Sequence, residues 1–179
     1  MPYLLDGEIK VTQAVAIMRY LGRKFDLMPS EADMTKAEMF EQYLQEFRNA
    51  MSDVIYSRSV DELEKKKSDF LTELSVRVEE VGRFIKTGPY ALGEKITYVD
   101  FLALEFLDQI SVFSPDHFKS GPVADYIKTM KSLPALKRFY ESDTCTHKHY
   151  SVTSPMGYLP GRPIEKVGAK GTPVDRHLL

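Results

Sequence analysis

The chain has 179 residues, 43% apolar and 28% charged, proportions that suit one cored globular domain and leave little room for two. Ten Phe and ten Tyr exclude disorder throughout. A formal charge of −2 and a pI near 6.1 argue against a general nucleic-acid binder or a polybasic membrane anchor. The single cysteine, Cys145, excludes an internal disulfide and makes a reducing cytoplasm the default compartment. The apolar run Ala14–Met18 near the start is far too short to span a bilayer. Residues 1–20 lack the basic and apolar regions of a secretory signal.

Three zones are expected: 1–27 mixing strand and helix, 31–143 helical, and 144–179 an extended tail. The first opens with Tyr3-Leu4-Leu5, Asp6-Gly7 and Ile9-Lys10-Val11-Thr12. Asp-Gly between apolar runs predicts a two-stranded hairpin, because Gly accepts the positive φ of a tight turn. From Gln13 to Phe25, Ala14, Ile17, Met18 and Leu21 recur at helical spacing, and Arg23 and Lys24 suit the last turn. Phe40, Tyr43, Leu44, Phe47, Met51, Val54 and Ile55 form one helical stripe; Leu63, Phe70, Leu71, Leu74, Val78, Val81 and Ile85 form another. Ser57-Arg58-Ser59-Val60 separates them, and Gly88-Pro89 and Gly93 mark a loop.

Thr97 three residues before Asp100 is a capping-box pattern, with Asp in the place of Glu. The helix behind it, Phe101-Leu-Ala-Leu-Glu-Phe-Leu107, is apolar nearly all round and should be the buried central one. Loss of either capping residue should cost about 1 kcal/mol or more. Gly121-Pro122 and Leu133-Pro134 each start a further helix. The Gly/Pro-rich tail has little apolar periodicity and should not pack alone. No fixed-period repeat occurs.

Several patterns carry no chemistry. Gly88-Pro-Tyr-Ala-Leu-Gly93-Glu-Lys95 lacks the Lys directly after the second Gly that a phosphate loop needs. Lys65-Lys66-Lys67 is a solvated helix face, and no Gly-x-Ser-x-Gly nucleophile elbow is present. Cys145, His147 and His149 offer three ligands without an evident fourth, so no metal is expected.

Pro2-Tyr3-Leu4-Leu5-Asp6-Gly7, Lys10-Val11-Thr12-Gln13 and Ala16-Ile17-Met18-Arg19-Tyr20-Leu21 resemble the second half of the thioredoxin-like domain of glutathione S-transferases. Lys95-Ile-Thr-Tyr-Val-Asp-Phe-Leu-Ala103 followed by Leu107-Asp108-Gln109 resembles the central helix of that family, with the mu class the best match. The resemblance covers residues 1–143 and its motifs fall in the family's order. It implies a mainly α fold: a truncated thioredoxin-like remnant, hairpin plus helix, followed by the all-helical C-terminal domain and the tail.

The resemblance also assigns residues. Pro2 matches the family's cis-proline, and Met1 before it would present its backbone to the cysteinyl part of glutathione. The plain reading of Pro2 is a proline at a strand edge. Gln13 matches the glutamine that binds the γ-glutamyl group, with a polar helix start as its plain reading. Ala14 stands where the family has a serine, which removes one hydrogen bond to a carboxylate, worth about 1.5–3 kcal/mol; the helix N-terminus remains. Glu46 falls where the mu class has an aspartate that reaches the sister subunit's glutathione. Arg48 and Tyr56 keep the mu pattern, Tyr56 on the electrophile side. Their plain readings are solvated helix charges and a core aromatic.

Family members begin with a β-α-β unit that carries the tyrosine holding the glutathione sulfur. These residues have no counterpart here. A free thiol has a pKa near ~8.5, so little is ionised at neutral pH, and a shift of ~2 units corresponds to ~2.7 kcal/mol of stabilisation. The expectation is therefore a glutathione S-transferase-like protein, the family activity being conjugation of glutathione to electrophiles, without independent catalysis. The alternative is a structural or interaction subunit that uses the fold and tail as a scaffold. No cofactor is expected, glutathione being substrate. Expected partners are glutathione, an electrophile if the chain is active, and a second subunit or assembly partner through helices 33–56 and 60–86, the tail or the open sheet edge. No nucleic acid and no membrane span are expected.

Overall fold

The computed structural model describes residues 2–57, 59–85 and 88–142. Met1 and the tail 144–179, with Cys145, His147 and His149, lie outside the described residues.

Strands β1 (Tyr3–Asp6) and β2 (Ile9–Thr12) pair antiparallel, Tyr3 opposite Thr12 and Asp6 opposite Ile9. The turn sits one residue later than Asp6-Gly7 suggests. Asp6 stays in the strand and Gly7-Glu8 form the loop, with Gly7 at φ 59° and Glu8 at negative φ. Gly at the first central position suits such a turn. Asp6 is retained because its carboxylate accepts from the Tyr20 hydroxyl at 2.7 Å and pairs with Lys24, both on α1 (Ala14–Lys24). These partners hold its pKa below the usual carboxylate value, Lys24 first and Tyr20 second. In α1, Ile17, Met18 and Leu21 are half-buried, Ala14 is exposed and Gly22 is buried.

The long helices follow their apolar stripes. Helix α2 (Met34–Ile55) buries Ala37, Phe40, Leu44, Phe47, Met51 and Val54. It ends at Tyr56, where the Ser57 hydroxyl donates to the Val54 carbonyl at 2.7 Å. Helix α3 (Val60–Phe84) starts on Ser59, whose hydroxyl accepts from the Glu62 amide at 3.2 Å. Asp61 and Glu62 in its first turn complement the dipole. Helix α4 (Tyr98–Phe113) buries Val99, Ala103, Leu104, Phe106, Leu107, Ile110 and Phe113. Helices α5 (Pro122–Ser132) and α6 (Pro134–Glu141) each carry proline in the first turn, where a missing N–H costs little.

One apolar core joins α2, α3, α4 and α5. Aromatic rings bind it together: Phe47 meets Phe106 edge-on at 5.3 Å, Phe70 meets Phe113 at 5.8 Å, and Phe40 stacks on Phe84 at 4.9 Å. Each large apolar side chain buried here contributes about 1.5–3 kcal/mol. Among the described residues no helix is long and apolar enough to cross a membrane.

Candidate functional site

The hairpin register brings the two ends of the expected glutathione site together. Because Tyr3 pairs with Thr12, Pro2 and Gln13 flank the same end of the sheet. Gln13 takes φ 72° and ψ 121° before α1, so the chain turns sharply from strand into helix. Its side chain does not cap α1, whose first turn carries no acidic residue. The first turn of α1 thus lacks a side-chain cap beside exposed Ala14, an arrangement that suits an anion. The Met1–Pro2 bond lies outside the described residues.

Six residues along α1, Arg19 forms a fork onto Glu41 of α2: Nε donates to Oε2 at 2.9 Å and Nη2 to Oε1 at 2.6 Å. The Tyr98 hydroxyl, from the first residue of α4, donates to the same Oε2 at 2.8 Å. Glu41 is 2% exposed. A buried carboxylate is tolerable only with such partners. The arrangement raises the Arg19 pKa, chiefly through the hydrogen bond to Glu41. Burial first and Glu41 second push the Tyr98 phenol up to about 12. Beside this cluster the Tyr98 amide donates to the Leu27 carbonyl at 2.8 Å, and buried Gly22 lets α1 approach α4.

Tyr56 is 56% exposed at the end of α2 rather than in the core. Glu46 and Arg48 are exposed on α2. Glu46 and Tyr56 lie ten positions apart, about 15 Å along the axis. The residues expected to contact glutathione and the electrophile therefore fall in two places, the start of α1 and the second half of α2.

Asp100 is fully buried and gathers four donors. Its Oδ2 accepts from the Thr97 amide at 2.8 Å and the Thr97 hydroxyl at 3.0 Å, closing the capping box. Its Oδ1 accepts from the Ala91 amide at 2.7 Å and the Tyr126 hydroxyl at 2.9 Å. Burial, then Asp100, raises the Tyr126 phenol well above its ordinary value. A third buried carboxylate, Asp108, pairs with Lys131 of α5 and accepts from Tyr140 of α6 at 3.3 Å. Sequence reasoning missed Glu41 and Asp108 as network centres. The available signal was a carboxylate lying on an apolar stripe, as Glu41 does four residues after Ala37 and three before Leu44.

A separate cleft of about 380 Å³ lies between α3 and the start of α5, lined among others by Val78, Gly82, Arg83, Pro122 and Val123. No residue of β1, β2, α1 or α2 lines it. Among the described residues no group of three His, Cys, Asp or Glu is arranged to hold a metal.

Known proteins share this architecture. Residues 45–143 match the model of the glutathione S-transferase C-terminal domain. Glutathione S-transferase 2 of Gallus gallus is 31% identical over 144 residues, covering 79% of this chain and 64% of the relative. Glutathione S-transferase Mu 1 of Bos taurus is 33% identical, covering 79% and 65%. The chain thus spans just under two thirds of the length of these relatives. The crystal structure of the glutathione S-transferase Blo t 8 superposes with a TM-score of 0.78 at 33% identity, over 89% of this chain and 75% of the other. The Pi-class enzyme of Onchocerca volvulus gives 0.71 at 26% identity, over 79% and 69%. Helical core, hairpin and α1 together are those of its relatives, and the chain belongs to the glutathione S-transferase family.

Proposed function

We propose that this chain supplies the γ-glutamyl side of a glutathione site and the helical domain of a conjugating enzyme, and that residues 1–179 do not turn over alone. The observation that carries the reading is the abrupt entry into α1 at Gln13, at the same sheet end as Pro2, with no side-chain cap on the first turn of the helix. A tripeptide carboxylate at that end would be held by backbone amides and the helix dipole. Gln13 would take the γ-glutamyl group, Met1 and Pro2 the cysteinyl backbone, and Ala14 would leave the carboxylate one hydroxyl short. Glu46, exposed on α2, would face a sister subunit's ligand in a homodimer, and exposed Tyr56 would offer a hydroxyl to the electrophile. None of these groups ionises a thiol at neutral pH. By the family resemblance, the donor for the sulfur would lie in a β-α-β unit that has no counterpart within residues 1–179.

The test pairs retention on immobilised glutathione with a conjugation assay, both on the 179-residue polypeptide. Weak retention, released by free glutathione, with no rate above the uncatalysed reaction is expected. Turnover by this polypeptide would overturn the non-catalytic part of the reading, and absence of any glutathione binding would overturn the rest.

A further inference from the structure

The hairpin and α1 hold the helical core by few apolar contacts. Within α1 only Gly22 is buried, Met18 is the residue of α1 packed against the core cluster, and Tyr3 and Leu5 stay 71% and 62% exposed. The polar attachment is correspondingly prominent. Glu41 of α2 takes both arms of the Arg19 fork and the Tyr98 hydroxyl of α4, three elements meeting on one buried carboxylate. A bidentate guanidinium fork restricts rotation as well as distance, which a single contact does not.

We infer that Glu41 is a positioning residue: it sets the orientation of α1 against the helical domain and thereby the placement of the Gln13–Ala14 end. The lever is short. Gln13 lies six residues from Arg19, about 9 Å along the axis. A tilt of about 10° about Arg19 would carry that end roughly 1.6 Å, enough to lose a hydrogen bond there. What binds at that end rests on the glutathione reading above; the orientation of α1 does not.

The experiment uses the full 179-residue chain and two measurements, amide hydrogen exchange across α1 and glutathione affinity by calorimetry. Glu41→Gln keeps the shape and removes the charge that grips the fork. It should lower protection of α1 about tenfold relative to α4, and weaken glutathione about five- to tenfold. Tyr98→Phe should shift both in the same direction by less. Asp108→Asn serves as the control, because it disturbs an equally buried carboxylate that joins α4, α5 and α6. It should lower global stability while leaving relative protection of α1 and affinity within twofold. Should Glu41→Gln fail to fold, Arg19→Lys, which keeps the charge and loses the fork, replaces it with the same expectation. Unchanged relative protection of α1 in the Glu41 or Arg19 variant, or a control that reproduces their pattern, overturns the inference. If the unaltered chain binds no glutathione, the functional reading fails and the exchange measurement alone decides the role of Glu41.

Discussion

Replacing Asp100 tests how a buried carboxylate without a cationic partner holds three segments together. The side chain joins the loop at Ala91, the cap at Thr97 and the α5 phenol of Tyr126. In Asp100→Ala the Tyr126 hydroxyl keeps a second acceptor, the Asp100 carbonyl at 3.2 Å. The Thr97 hydroxyl can rotate. The amides of Ala91 and Thr97 cannot, and both residues are buried. Two orphaned N–H groups at about 1–3 kcal/mol each give a loss of about 4 kcal/mol, above the ~1 kcal/mol of an ordinary cap. The sharper variant is Asp100→Asn. It preserves shape, yet its amide must point a donor either at the Thr97 amide or at the Ala91 amide. One amide is then left facing a donor, so about half the Ala loss or somewhat more is expected, equivalent to a melting temperature lower by roughly 5–10 °C. Urea unfolding followed by circular dichroism measures both, with an unchanged slope confirming that the same surface unfolds. An Asn variant within about 1 kcal/mol of the unaltered protein would refute the reasoning, since it would mean that one of the two amides finds another acceptor.

Gly22→Ala should destabilise by about 1–2 kcal/mol despite alanine's better helix propensity, because the added carbon would sit 3.0 Å from the Met28 sulfur and 3.2 Å from the Tyr98 Cβ; thermal denaturation reads it, and Gly22→Val should be worse. Tyr98, with its pKa near 12, contributes stability that is complete below the unfolded value near 10 and is lost as pH rises through 12. Tyrosinate absorbance should accordingly appear in two stages, exposed phenols first and Tyr98 with Tyr126 only on alkaline unfolding, and Tyr98→Phe should make the alkaline loss shallower. Asp6, lowered by Lys24, should titrate below 3.8 by NMR, its contribution present above the unfolded value and lost as pH falls through the folded one; Lys24→Met should return the midpoint upward. Ala14→Ser should tighten glutathione about tenfold or more by restoring one charge-assisted hydrogen bond, measured by calorimetry; no gain would argue that the ligand carboxylate does not reach α1.

The apolar architecture was legible because it is periodic. The stripes from Phe40 to Ile55 and from Leu63 to Ile85 map onto α2 and α3, and the nearly all-apolar run after Asp100 is the central helix. The capping pattern was legible too, because Thr97 and Asp100 are three residues apart and satisfy each other's neighbourhood locally. Local signals mislead where a distant partner intervenes. Asp-Gly reads as the centre of a turn, yet Asp6 stays in β1 because Tyr20 and Lys24, on a helix still to come, hold its carboxylate. Tyr56 reads as a stripe aromatic by spacing, but α2 ends there and the ring is released to solvent.

The same logic explains which part of the site was hidden. Gln13 and Ala14 could be placed at the start of α1 from sequence because a strand-to-helix boundary has local chemistry, while their proposed role toward a ligand rests on the family resemblance. Glu41 could not, since a glutamate in a long charged helix is ordinarily solvated. It becomes a buried acceptor only when Arg19, 22 residues earlier, and Tyr98, 57 residues later, converge on it. A carboxylate on an apolar stripe is thus a question that sequence poses and cannot answer. The side chain must be neutralised by a donor from elsewhere or it would not be inside. In this chain that donor sits on α1, the helix whose first turn we propose as the ligand end. Satisfying the buried charge and orienting the ligand end are consequently one interaction, and a change that weakens the first should be felt at the second.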